Sequence, residues 1–148
     1  MSLNGVKTQL ATNLAAISGI VGVQEAASDL EPLVTELPTI VIYNPDIEIG
    51  AYDAEVSGAA IEFKYHFRLK FLFSTYSTTI EYDKTLEPWA FNILQALYGH
   101  VRLSGNAFYS QHDGQFPLTH ITDYRGSQYI GFEIPWLVRA ASKIVVDD

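Results

Sequence analysis

The chain of 148 residues has no cysteine, which excludes a disulfide framework and thiolate metal sites and fits a reducing compartment. Bases are scarce: nine Lys and Arg stand against seventeen Asp and Glu, a formal net charge of −8. A domain that grips duplex DNA through many phosphates needs a basic surface, so this balance argues against one. No apolar run approaches the roughly 20 residues of a membrane-spanning helix. The first residues also lack the basic region and continuous apolar core of a signal peptide. The expectation is a soluble, intracellular protein. A Gly-rich phosphate loop is missing too, because Gly5, Gly19 and Gly22 are wrongly spaced and follow no strand. His66, His100, His112 and His120 form no spaced ligand set. His112-Asp113, beside Gly114, is the one local pair resembling a base with an orienting acid, and a polar surface turn accounts for it more simply. No catalytic residue, cofactor site or metal site is expected.

What the chain does have is apolar content, 48% of it, enough for the core of a single domain over residues 1–148. Its strongest pattern is IEFKYHFRLKFLF, Ile61 to Phe73. Ile61, Phe63, Tyr65, Phe67, Leu69, Phe71 and Phe73 alternate with Glu62, Lys64, His66, Arg68 and Lys70. Successive side chains of a strand point to opposite faces, so this period of two predicts a strand with an apolar row on a core and a charged row away from it. Each such apolar side chain contributes about 2 kcal/mol on burial, which makes this segment the centre of the fold. Its length, roughly 43 Å at about 3.3 Å per residue, predicts a bend, a bulge or a projection beyond the core.

Around it, Val6, Leu10, Leu14 and Ile17 predict an amphipathic helix from Leu3 to about Ser18, ended by Gly19. A short extended piece is expected at Val23 to Glu25, and Thr39-Ile40-Val41-Ile42-Tyr43 reads as a buried strand closed by Asn44-Pro45. Residues 44–60 then carry four acids and no base, a long acidic loop or the frayed continuation of a hairpin. Leu86, Trp89, Ala90, Ile93, Leu94 and Leu97 form one face of a second helix, with Asp83 as its cap and Pro88 in its first turns. Val101 to Leu103 is expected as a short strand and Ser104 to Pro117 as a loop. Leu118 to Tyr124 and Gln128 to Arg139 close the chain as a hairpin through Arg125-Gly126-Ser127. Pro135 predicts an edge position or a bulge in its last strand. The order gives an α+β domain, a mainly antiparallel sheet with two main helices packed on it.

Charge is unevenly placed. Residues 1–60 hold Lys7 alone against eight acids, whereas 61–80 hold Lys64, Arg68 and Lys70 against Glu62. A solvated outer face explains the basic strip as well as any function does. A single-strand nucleic-acid platform needs aromatic and basic groups on one surface, and here they occupy opposite faces. A cationic strip on an anionic chain does suit head-to-tail self-contact, in which Lys64, His66, Arg68 and Lys70 of one copy meet Asp46, Glu48, Asp53 and Glu55 of the next. The rival from another class is a small enzyme or ligand-binding domain, with a pocket between the second helix and the sheet that includes Tyr65, Trp89 or His120.

The N-terminal helix, the Leu37 to Tyr43 strand LPTIVIY, the acidic loop, the FKYHFRLKF strand, the second helix and the closing DYRGSQYIGFEIPWLVR together cover nearly the whole chain. This order resembles the tail-terminator, or tail-completion, proteins of long-tailed phages and prophages. The resemblance implies a structural, non-enzymatic subunit that assembles as a ring, commonly of six copies. Such a ring caps the tail tube and joins it to the head connector, and DNA passes through the hole without specific binding. It further implies a place in the virion tail, with assembly in the host cytoplasm, and no cofactor and no membrane partner. Another neck or tube assembly subunit is the nearest alternative. The loop around Tyr52 and the Ser74 to Thr79 turn have no counterpart in the family.

Overall fold

The computed structural model describes residues 3–26, 30–52, 60–77, 82–114 and 121–143. In chain order the elements are α1 (Leu3–Ala15), β1 (Gly22–Ala26), β2 (Thr39–Tyr43), β3 (Asp46–Tyr52), β4 (Ala60–Thr75), α2 (Tyr82–Tyr98), β5 (Tyr109–His112), β6 (Ile121–Tyr124) and β7 (Ser127–Lys143). The alternating segment is strand throughout, and β7 runs antiparallel to it over nearly its whole length. Four short strands flank this pair. β2 and β3 lie along one side of β4, and β5 and β6 along one side of β7. β1 adds to β2 in parallel, which completes a seven-stranded, mainly antiparallel sheet of the α+β class.

The inner row behaves as its period demands. Tyr65, Phe67, Leu69 and Phe71 are buried with Ile130, Phe132, Ile134, Trp136 and Val138 from β7. On them sit Val6, Leu10 and Leu14 of α1 and Leu86, Ala90, Ile93 and Leu97 of α2, the spacings that put each set on one helical face. α1 ends at Ala15, short of Ser18, and Gly19 takes a φ of +91° just beyond it, against Trp89. α2 begins at Tyr82, so Asp83 lies inside its first turn rather than before it, and Pro88 falls in the second turn.

The length of β4 is accommodated by a bulge. The register with β7 shifts between Leu72 and Ser74, and Gly131 pairs with Leu72 beside that shift. A Cβ on Gly131 would sit 1.9 Å from the Phe71 carbonyl oxygen, so the two strands approach this closely only around glycine.

Three local expectations are corrected. Val101 to Leu103 is a turn leading into a 3₁₀ turn at Leu103–Gly105, with Leu103 and Ser104 at positive φ, and the supposed loop after it contains β5. Pro135 is on a strand flanked on both sides. It lies just past the last β5 pair, His112 opposite Trp136, where its carbonyl still accepts from the Asp113 N–H at 2.9 Å. The outer face is not wholly polar either. Leu72 is buried there with Ala26, Val41, Tyr43 and Tyr124 in a second small core, onto which Val34, Leu37 and Tyr129 pack.

Candidate subunit interface

The charged row of β4 is shared out along a cross-strand lattice. Asn44-Pro45 interrupts the ladder after β2, and the chain continues in the same direction along β4 as β3, where the register sets Glu48 opposite Lys64 and Asp46 opposite His66. Lys64 Nζ lies 3.7 Å from Glu48, and His66 Nε2 lies 3.3 Å from the same carboxylate. The other ring nitrogen of His66 meets Asp113, just past β5, at 2.6 Å. The hydrogen bond to Asp113 is the main cause of a pKa raised above 6.5, with the Asp113 and Glu48 charges adding to it against desolvation. Farther along, Arg68 pairs with Glu133 at 3.2 Å, and Arg139 holds Glu62 through Nε at 2.7 Å and Nη2 at 2.6 Å.

The upper end of the row is covered by residues 30–38. Glu31 accepts hydrogen bonds from the Tyr43 hydroxyl and from the Arg125 backbone N–H at 3.0 Å, while Arg125 Nη1 donates to the Glu31 carbonyl at 2.6 Å. The Tyr124 hydroxyl donates to the Pro32 carbonyl. Burial alone would raise the pKa of Glu31, but these hydrogen bonds and the charges of Lys70 and Arg68 hold it below its ordinary value. Burial, with the Glu31 charge, pushes Tyr124 up to about 12. Arg68 and Lys70 stand over the Tyr43 ring at 4.5 Å and 5.4 Å, and Lys70 donates to the Asp123 carbonyl at 2.6 Å.

Lys64, His66, Arg68 and Lys70, expected to meet a neighbour's acids, thus each have an acceptor within the chain, while the Arg68 side chain stays 60% exposed. Their acceptors come from the same chain: Glu48 from β3, Asp113 from just past β5, Glu133 from β7 and the Asp123 carbonyl from β6. Asp53 and Glu55 lie outside the described residues.

Among the described residues β3, like β1 and β6, is an edge strand. Of the described strands it pairs only with β4, so one side of its backbone carries no ladder. Ile47 and Ile49, which the register places beside Tyr65 and Phe63, are 48% and 67% exposed, and the Glu48 side chain remains 62% exposed in spite of its partners. The opposite edge of this part of the sheet is closed. Ser110 of β5 is fully buried and donates to the Val101 carbonyl at 2.8 Å, and the outward N–H of His112 donates to the Tyr98 hydroxyl at 3.2 Å. The surface beside β5 carries Phe108 and Tyr109, 37% and 41% exposed, together with Arg102.

His112 and Asp113 do not act as a pair. Asp113 turns to His66, while the His112 ring meets the Tyr98 hydroxyl. Among the described residues no three His, Asp or Glu gather as a metal site. Between α2 and the sheet, among the described residues, Trp89 packs on Phe71 and Phe73 and Tyr65 is buried, and His120 lies outside the described residues. A cavity of about 410 Å³ lies instead between α1 and α2, lined by Asn13, Ser18, Asn92, Gln95 and His100 among others. Among the described residues no helix is long and apolar enough to cross a membrane. No known family model matches the chain, and no curated protein sequence matches it.

Proposed function

We propose that this chain is a structural subunit of a homo-oligomeric ring, of the kind formed by the tail terminators of long-tailed phages, which caps a tail tube and joins it to the head. The observation that carries this reading is the β3 edge: seven residues of strand with one side unpaired among the described residues and two exposed isoleucines, across the sheet from a β5 edge that is capped. An open edge of that length is a template for another chain; native proteins blunt such edges with charge or cover them, and here Asp46 and Glu48 supply charge while Ile47 and Ile49 stay exposed for a partner. The order of elements that resembles the terminator family supports the choice of ring. A surplus of acids suits a channel through which DNA slides without being held.

The test is electron microscopy of the purified protein, alone and mixed with tubes of the tail-tube protein encoded nearest its gene. Closed rings of about six copies, in solution or seated on tube ends, are expected. Absence of rings in both preparations would overturn the reading, as would a gene neighbourhood of metabolic enzymes instead of tail genes.

A further inference from the structure

We infer that the acidic edge strand β3 of one copy docks against the β5 rim of the next, the surface made by Arg102, Phe108 and Tyr109; this inference rests on the ring reading. A ring requires a head-to-tail contact between two different patches of one subunit, and the topology supplies two on opposite sides. Across the middle of the molecule the strands run β3, β4, β7, β5, with Asp46, His66, Leu137 and Gln111 in one row and Glu48, Lys64, Arg139 and Tyr109 in the next. β3 ends this four-stranded section on one side and β5 ends it on the other.

The two ends differ in chemistry as partners must. β3 offers Asp46 and Glu48 alternating with Ile47 and Ile49, all exposed. The rim offers two exposed aromatic rings and Arg102, an exposed cation with no ion pair among the described residues. Arg139 holds its guanidinium 5.1 Å from the Phe108 ring and is already committed to Glu62, so Arg102 is the rim cation left for a neighbour. Isoleucine against aromatic rings and carboxylate against guanidinium match in both apolar and charged character. β3 meeting β3 of another copy would instead bring acids together. The Tyr98 hydroxyl and the Val101 segment cap β5, so the contact there is made by side chains and not by a continued ladder.

The lack of native cysteine makes this testable by thiol chemistry. Asp46→Cys and Arg102→Cys chains are prepared separately, checked for a native circular dichroism spectrum, and treated with a short bifunctional thiol cross-linker under conditions where the parent assembles. Mixed chains are expected to give a cross-linked dimer that neither gives alone, and the double variant a ladder ending at the ring's copy number. Arg102→Glu and Ile49→Asp are each expected to weaken association by at least about tenfold, and Asp46→Lys with Arg102→Glu to recover most of that loss. Cross-linking of Asp46→Cys chains with one another would mean that like edges meet and would overturn the proposal. Rings that form normally from Arg102→Glu and Ile49→Asp chains would overturn it while leaving the ring reading intact. A parent that forms no ring, free or on tubes, overturns both.

Discussion

Single residues decide how closely the two long strands approach. At Gly131 a methyl group would collide with backbone, and backbone cannot swing aside as a side chain can. Gly131→Ala should therefore cost about 3 kcal/mol in urea unfolding, at the upper end of what overpacking costs. Gly50, on the exposed edge of β3, is the control, since a Cβ there meets nothing within 4 Å. Gly50→Ala should leave stability unchanged or raise it by about 0.5 kcal/mol through the unfolded state. If the two substitutions prove equally costly, the bulge is not held by the close approach at Gly131. Trp136 and Tyr124 repeat the lesson from another side. Each is fully or almost fully buried, yet only Tyr124 was placed to reach a carbonyl, on a segment 92 residues earlier in the chain.

Elements are tied together by the histidine on β4. A neutral imidazole has one N–H, and His66 faces a carboxylate at each nitrogen, Asp113 from beyond β5 and Glu48 from β3, with Lys64 sharing Glu48 and Asp46 opposite in register. Only the doubly protonated ring can donate to both. Its pKa in the folded chain is raised, so the stabilisation is complete below the ordinary value of 6.5 and is lost as pH climbs through the raised one. The difference in urea stability between the parent and His66→Gln should be largest near about pH 6 and shrink toward about pH 9; a constant difference would show that the ring acts by packing alone. The two helices, β4 and the Arg125-Gly126 hairpin were legible because apolar spacing and turn chemistry act locally. β3 left a signal as well, since Ile47 and Ile49 alternate with Asp46 and Glu48, but the surrounding acids mask it. β5 left almost none: its buried residue is Ser110, whose hydroxyl is satisfied by Val101. The cis pairing of the basic strip was equally hidden, because composition counts charges without saying which strands become neighbours. Nor did any local pattern announce the Glu31 latch, whose partner Arg125 is 94 residues distant.

For the whole molecule, a net charge of −8 sets copies to repel at long range, while the contact between β3 and the β5 rim is locally complementary. Screening acts on the first more than on the second, because the Debye length falls from about 30 Å at 0.01 M salt to about 8 Å at 0.15 M. Ring formation followed by light scattering should accordingly rise over that range; a monotonic fall would mean that attraction between surface charges dominates association. The same open strand carries a hazard as well as a use. Asp46 and Glu48 stand as gatekeepers beside Ile47 and Ile49, and replacing them with Asn and Gln would leave a bare, sticky ribbon able to stack into fibrils. On the proposed ring reading, prompt capture by a neighbour would keep the chain from seeding its own precipitation.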